Sequence, residues 1–485
     1  MNVLFIYSLQ DTQSLLKPLR TPEQIQFGIS YISAFLKKHG HQTKLTVLSS
    51  PYGKKNYQVI DKVLSNFKPR LICFTAVSSE YEFIRNIADY LRYRYPDIYI
   101  LIGGVHVTLN IDEVQQDNFD AFCIGEGEYP TLELVAQLEK NAKPTKIGNL
   151  LIRDGPIIER NAARPFLHDL DDLPFPDREM WQEWMEEDLG TRHAVLLGRG
   201  CPFDCTYCSN HALRKVASGN YVRLRRPEKI IEEINEIAIK YPKQNEIYLE
   251  VETFSANRKW AIQLCTELAE LNKTLSNPLS YGVNIRVTPH PDFSDLFEAC
   301  KRSNFRFINI GLESGSERVR KEILKRNYTN KDIISVVDVA RKVGLKVAFY
   351  NMIGIPGETK ADFEETVKLN RICLPDWHMT GIFFPYPGTN IYRTAKNLGL
   401  LDKKIDSDLE RSRALFDLPG FTKKQIQRSY ELFDYYVYSG HKPLYKILIR
   451  VIVTKLRSHR QLIYLYRNLT RFWIFKRLKH MLKFT

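Results

Sequence analysis

Cysteine is scarce in this chain of 485 residues. There are eight, and five of them (Cys73, Cys123, Cys265, Cys300, Cys373) are scattered through apolar or helical contexts. A disulfide-stapled fold packs its cysteines densely into a short chain, so that class is excluded, and the five read as buried small hydrophobes. No internal repeat and no low-complexity tract is present. Charges interrupt every apolar run of the C-terminal region, which excludes a spanning helix there. The start, MNVLFIYSLQ, has neither a basic region nor a long apolar stretch, so no signal peptide is expected and a reducing cytoplasm is the expected compartment. Acid is also missing from one place: after Asp434 no Asp or Glu occurs. Twelve of the 70 Lys and Arg lie in 441–485, leaving 58 against 56 acidic residues, so the formal charge of +14 belongs almost entirely to that segment.

What is present is a globular balance, 44% hydrophobic and 26% charged, on a chain long enough for two or three domains. VLFIY (3–7), TKLTVLS, LICFTAVS, IYILIGG and AFCIGEG read as strands. Between them lie helical patterns, FGISYISAFLKKHG (27–40, stopping at Gly40) and YEFIRNIADYLRYRY being the clearest. Such alternation predicts a parallel sheet with helices on both faces. Ligands bind such sheets beyond the carboxyl ends of the strands. Here those ends carry Ser78-Ser79-Glu80, Gly103-Gly104-Val105-His106 and Gly125-Glu126-Gly127-Glu128. Ordinary strand-to-helix turns are the competing reading. Residues 141–193 lack periodicity, carry the proline-punctuated DLDDLPFPDREMW, and read as a linker.

Alternation resumes with HAVLLG, EIYLEVE, YGVNIRV, FRFINIGLE, LKVAFYNMIG and HMTGIFFPY. Six strand–helix units suggest an incomplete barrel of parallel strands, chemistry being built at its carboxyl-end face. Immediately after HAVLLG comes RGCPFDCTYCSN, which crowds Cys201, Cys205 and Cys208 into eight residues. Three thiolates so close can hold one metal centre. With His211 they could make a Cys3His zinc site. Alone they could hold a 4Fe–4S cluster with one iron left open.

CPFDCTYC matches the CxxxCxxC signature of the radical S-adenosylmethionine superfamily, with Tyr207 as the usual aromatic before the last cysteine. INIGLESGSERV (308–319) and NMIGIPGET (351–359) resemble that superfamily's ribose- and adenine-side motifs. IGGVHVTL, IGEGEYPTLELV and DLDDLPFPDRE resemble the subgroup with an N-terminal cobalamin-binding domain. The likeness covers about residues 1–400. It implies an α/β chain: a flavodoxin- or Rossmann-like cobalamin-binding domain (1–140), a linker (141–190), a partial (β/α)6 barrel (191–400), and a helical C-terminal extension with a basic amphipathic tail (401–485). It also implies that Cys201, Cys205 and Cys208 ligate three irons of a 4Fe–4S cluster while S-adenosylmethionine chelates the fourth. One electron, from a donor such as a flavodoxin or ferredoxin, then cleaves the sulfonium to a 5′-deoxyadenosyl radical. Tyr207 belongs to that cofactor site. Glu313 and Ser314 would lie near the ribose and methionine, and Gly354 and the Ile355-Pro356-Gly357-Glu358 turn near the adenine. Arg286 would pair with the cosubstrate carboxylate. The plain readings are that Glu358 caps a helix and Gly357 turns the chain. Where many relatives carry an Asp-Asp pair, this chain has Glu250-Val251-Glu252.

For cobalamin the resemblance points to Ser78, Gly103, Gly104, His106, Gly125, Glu126 and Gly127. Some cobalamin domains place a histidine under the cobalt from a DxHxxG motif, but the corresponding SLQDTQSLLKPLRTPEQ holds none. His39 and His41 read as a surface helix end. His106 either faces the corrin or sits in a turn. Cobalamin is therefore expected to bind without a protein imidazole below the cobalt; the opposite reading is a domain that keeps its shape without the corrin.

The tail places Lys446, Arg450, Arg457 and Arg460 on one helical face, with Leu444, Leu448, Val451 and Ile452 elsewhere; Arg467 and Arg471 repeat the spacing before FWIF. This reads as a peripheral contact with an anionic membrane surface, ahead of a packed helix and of nucleic acid. RNA-modifying relatives usually carry extra N-terminal cysteines, which are absent here. The combined expectation is cobalamin-dependent methylation of an unactivated carbon in a small hydrophobic or lipid-like substrate, such as an isoprenoid lipid, hopanoid or tetrapyrrole. The alternatives are radical ring closure or carbon–carbon coupling, and a non-catalytic zinc-binding interaction protein.

Overall fold

The computed structural model describes residues 1–9, 17–19, 21–185, 192–401, 410–459, 461–463 and 466. Arg460, Arg467, Arg471 and FWIF lie outside the described residues, as do 10–16 and 20 of the stretch aligned with DxHxxG. The chain forms two compact units, one of 1–201 with 209–244, the other of 202–208 with 245–485.

The first unit is built on β1 (Asn2–Leu9), β2 (Gln42–Ser49), β3 (Leu71–Thr75), β4 (Tyr99–Gly103) and β5 (Ala121–Cys123), in the order β2-β1-β3-β4-β5 and all parallel. β1 is apolar without alternation because both its faces are covered. Val3 and Phe5 join a core cluster on one side, and Leu4 and Ile6 one on the other. The helices Phe27–Lys38, Lys55–Phe67, Tyr81–Arg94 and Glu128–Glu139 supply those covers. Gly40 takes a left-handed φ of 84° after the first helix, as its stop position requires. The chain leaves β1 for β2 on one side and returns to β3 on the other, so the sheet reverses direction at β1/β3. That switch point opens a crevice at the carboxyl ends.

Residues 141–160, read as linker, instead extend this sheet. β6 (Leu150–Asp154) pairs antiparallel with β5, and β7 (Ile157–Arg160) pairs antiparallel with β6. Gly155 leads their two-residue turn at φ 58°. A glycine at the first position of a two-residue loop, between two apolar runs, is the signal the sequence carries for this hairpin. Further on, Trp181 and Trp184 sink into the core beside Val3 and Phe5. Trp181 Nε1 donates to Ser30 Oγ at 2.8 Å, and Trp184 Nε1 to the Leu45 carbonyl at 3.1 Å. The aperiodic stretch is thus held by large aromatics whose polar edges are satisfied. The unit also contains β8 (Arg192–Leu196) and a short antiparallel pair, β9 (Gly198–Arg199) with β10 (Arg223–Leu224).

The second unit contains β11 (Glu246–Glu250), β12 (Ser280–Ile285), β13 (Phe305–Glu313), β14 (Lys346–Ile353) and β15 (Trp377–Ile382), parallel neighbours in chain order. With β8, all six strands expected from sequence are present. Thr329 and Thr359 cap the helices Asn330–Lys342 and Lys360–Cys373, Asp332 and Asp362 closing each capping box. The C-terminal helices Lys423–Glu431, Phe433–Tyr438 and Leu444–Ser458 are no separate appendage. Ile426, Phe433, Tyr438 and Ile447 share a core with Ile353, Phe363 and Ile382.

Candidate cofactor sites

In the second unit the cysteine loop is tied down at Thr206. Its amide donates to the Leu324 carbonyl at 3.3 Å and its hydroxyl to the Ile323 carbonyl at 2.7 Å, while its carbonyl accepts from Ile391 N at 3.0 Å. Cys208 N donates to the Cys205 carbonyl at 3.1 Å, a tight turn that draws two cysteines together. Cys205 is buried; Cys201 and Cys208 are half-buried.

Two arginines meet the Cys205 sulfur. Arg286 Nη1 lies 2.7 Å from Sγ, its guanidinium stacked 3.8 Å over the Phe203 ring, and Arg326 Nη1 lies at 3.9 Å. The pairing expected of Arg286 from sequence is with a ligand carboxylate; here the arginine braces the loop itself, and a carboxylate would meet its other N–H groups.

Arg326 is the centre of the cluster. It donates to the Gly311 carbonyl at 2.6 Å, the Tyr207 hydroxyl at 2.8 Å and the Tyr328 hydroxyl at 2.9 Å, and lies 3.5 Å from Glu313 Oε1. Tyr207 donates to the same Glu313 oxygen at 2.9 Å. Burial disfavours the arginine's charge, but Tyr207, Tyr328, Glu313 and Cys205 outweigh it and hold the guanidinium well above its ordinary value. Burial likewise pushes the Tyr207 hydroxyl up, so it stays protonated and donates. Glu313 ends β13 with a φ of 63°, beyond a register shift against β14. A left-handed non-glycine residue at a bulge is a local cost that the surrounding bonds hold in place. A side chain on Gly311 would come within 2.7 Å of Glu313 Oε1, so it would push that carboxylate out of its bonded position.

Ser314 is fully buried, its hydroxyl 3.3 Å from Thr366 Oγ1 and accepting from Ser316 N at 3.2 Å. Gly354, at φ 78°, follows the adjacent strand β14. Its amide and that of Ile355 donate to Glu358 Oε2 at 2.6 and 3.1 Å. The other Glu358 oxygen is buried without a partner. Burial pushes this carboxyl up to about 8. Glu358 therefore shapes the turn from beneath. Where relatives have an Asp-Asp pair, Glu250 is half-buried, Val251 buried and Glu252 exposed.

In the first unit a cleft of about 230 Å³ opens at the switch point, lined among others by Phe5, Phe27, Phe74, Gly103, Gly125 and Gly127. Gly104 also lines it, at φ 100°; a side chain there would lie 2.7 Å from the Ala76 carbonyl oxygen. A side chain on Gly127 would come within 2.8 Å of Ile32. Glycine thus brings the strand ends together and leaves the cleft open above them. Glu126 and Glu128 form its charged edge. Arg199 reaches Glu126 at 2.9 Å and Glu128 at 2.5 Å, Arg223 reaches Glu126 at 3.0 Å, and Leu167 N donates to Glu126 at 2.8 Å. Burial opposes ionisation of Glu126, yet the two arginines hold its carboxyl below the usual range. It braces the loop.

Ser78 and His106 are not among the lining residues. Ser78 Oγ lies 3.0 Å from His106 Nδ1, Asn110 Nδ2 lies 3.3 Å from the same nitrogen, and the Tyr81 ring covers the imidazole at 4.5 Å. Burial pushes His106 down to about 4, so it is neutral. It holds the loop after β4. His39 Nδ1 bonds the Phe35 carbonyl at 2.8 Å, and His41 lies beside Glu139, both at a helix end.

Among the described residues no three His, Cys, Asp or Glu side chains converge on one ion-sized point. A four-iron cluster spreads its thiolates over several irons, and three thiols on one loop beside two arginines fit that. The glycine-lined cleft, large enough for a nucleotide-base-sized group, fits the lower tail of a corrinoid.

Comparison with known proteins agrees. The model of the radical SAM superfamily matches residues 195–369, and that of the B12 binding domain matches 21–135. This chain is a radical SAM enzyme with a B12-binding domain. It is similar to an uncharacterized methyltransferase of Pyrococcus horikoshii, 26% identical over 432 residues, 88% of this chain and 90% of that one. It is also similar to the anaerobic magnesium-protoporphyrin IX monomethyl ester cyclase of Cereibacter sphaeroides, 24% identical over 377 residues, 76% of this chain and 60% of that one. Its fold is that of the cobalamin-dependent S-adenosylmethionine radical enzyme OxsB, solved with aqua-cobalamin and S-adenosylmethionine bound. There the TM-score is 0.68 at 14% identity, over 97% of this chain and 75% of that one. The cofactors of this radical SAM enzyme are accordingly a 4Fe–4S cluster, S-adenosylmethionine and cobalamin.

Proposed function

We propose that this radical SAM enzyme transfers a methyl group to an unactivated carbon of a hydrophobic small molecule. The observation that carries the reading is the cleft at the β1/β3 switch point, lined at the strand ends by Gly103, Gly104, Gly125 and Gly127. A Cβ at Gly104 would strike the Ala76 backbone and one at Gly127 the tip of Ile32, so these glycines fix the strand-end turns that border the cleft. The relative that spans most of this chain and bears the name of a methyltransferase supports it.

When bound, the cluster with S-adenosylmethionine supplies a radical able to take hydrogen from an unactivated carbon, and cobalamin supplies the methyl group. Cys201, Cys205 and Cys208 would hold the cluster. Arg286 and Arg326 offset its negative charge at Cys205. Glu313, on the strained end of β13, would present its second oxygen to the amino group of the cosubstrate, fixed in aim by Tyr207 and Arg326. The Gly354–Gly357 turn, braced by Glu358, would offer backbone groups to the adenine. Gly103, Gly104, Gly125 and Gly127 would admit the corrinoid, with Glu126 and His106 holding the loops and no imidazole reaching the cobalt. A flavodoxin or ferredoxin would supply the electron.

The test is anaerobic purification with cobalamin supplied, followed by corrin absorbance and transfer of labelled methyl from S-adenosylmethionine to an extract of apolar metabolites. Corrin binding with deoxyadenosine formation but no methyl transfer would instead favour ring closure, the chemistry named for the Cereibacter relative.

A further inference from the structure

The last described helix, Leu444–Ser458, buries one face and leaves an apolar face in water. Ile447 and Ser458 are buried, and Ile447 and Val451 pack on the second unit's core. Arg450 is anchored to the buried Asp434 at 2.9 Å. Leu444, Leu448 and Ile452, spaced four apart, form a stripe on a neighbouring face, and Tyr445 widens it. These four are 56%, 45%, 56% and 62% exposed. A contiguous run of exposed aliphatics on a helix that already has its packing face is a contact surface. Lys455 lies in the same stripe and is exposed.

We propose that this stripe docks on an anionic lipid bilayer, parallel to its surface. Charge complementarity selects that occupant. The segment 441–485 carries twelve Lys and Arg and no acid. Each cation near an anionic membrane adds attraction, and aliphatic and aromatic side chains enter the headgroup boundary. A second copy of the chain would bring another acid-free basic segment against the first. A nucleic acid would use the cations but leave the aliphatics in water. Among the described residues no helix is long and apolar enough to cross a membrane, so the contact is peripheral.

The full-length protein is sedimented with vesicles of phosphatidylcholine, alone and mixed with phosphatidylglycerol. Expected is binding about tenfold tighter to the anionic vesicles, weakening as salt rises toward 1 M. The variant Leu444→Ser/Leu448→Ser/Ile452→Ser, unchanged in melting temperature because all three are exposed, loses about tenfold of that binding. A second variant, Lys476→Gln/Lys479→Gln/Lys483→Gln, weakens binding and flattens its salt dependence. Equal binding to both vesicle types, or full binding by the serine variant, overturns the proposal. So does single-stranded RNA bound more tightly than anionic vesicles, or a dimer abolished by the serine substitutions. None of these measurements needs turnover, so their outcome is separate from that of the methyl-transfer assay.

Discussion

Arg326 Nη1 lies 2.8 Å from the Tyr207 hydroxyl, and that hydroxyl lies 2.9 Å from Glu313. The aromatic of the cysteine loop is therefore a bridge between a buried arginine and the strained carboxylate that ends β13. One buried cation ties the loop that carries the thiols to the strand end expected to meet the cosubstrate.

Replacing Arg326 by Met should lower unfolding free energy by about 1–3 kcal/mol, because the Gly311 carbonyl, the Tyr207 hydroxyl and Glu313 lose their shared donor. Arg326→Lys keeps the charge but not the fork of donors, so it should fold and lose iron. Thermal melting together with iron and sulfide content checks both. A Met variant with parental melting and a full cluster would show that the bridge contributes nothing.

Glu358 should make stability fall as pH rises. Its folded carboxyl is raised from 4.5 to about 8, so between those values the unfolded chain gives up a proton that the folded chain keeps. Unfolding free energy then declines across pH 5–8 by on the order of 4 kcal/mol. Glu358→Gln retains an oxygen for the Gly354 and Ile355 amides and has no proton to lose. Its stability relative to the parent should climb over the same range in denaturant titrations. Parallel pH profiles would contradict this.

Gly104→Ala should abolish corrinoid retention while leaving the cluster intact. The added carbon meets backbone within 2.7 Å, at a φ that alanine rarely adopts. Expected is at least about a tenfold fall in corrin absorbance per chain with unchanged iron content, against a cost of roughly 1–3 kcal/mol from the backbone.

Trp181→Ala should cost about 3–5 kcal/mol, since a fully buried indole and its bond to Ser30 are both lost. The drop in melting temperature should exceed that of Ser30→Ala, which removes the hydrogen bond and keeps the indole.

Much of the frame is legible in the order of residues. The five parallel strands of the seven in the first sheet, and the six of the second region, fall where contiguous apolar runs end in turn residues. A strand buried on both faces needs no partner to announce itself. CxxxCxxC, LESGSERV and IGIPGE locate the loop, the end of β13 and the turn after β14. Less legible is 141–185. Its hairpin carries a glycine turn signal at Gly155, but its tryptophans reach Ser30 and Leu45 through contacts more than a hundred residues distant in the chain. Arg326 and Thr206 leave no mark, because KRN and CTYC show nothing of the carbonyls that receive them. His106 stands on the expected loop, yet only packing shows that Ser78, Asn110 and Tyr81 surround its ring.

The strand and helix order, the three thiols on one loop, the glycines at the strand ends and the basic, acid-free C-terminus all follow from the sequence alone. These are local properties, written in neighbouring residues and their spacing. Tertiary packing sets which arginine neutralises which sulfur, which carboxylate braces a loop and which is aimed outward, and which face of the last helix stays in water. Those depend on groups far apart in the chain meeting at hydrogen-bond distance under burial, where an unpaired charge is costly and a paired one holds its neighbours in place.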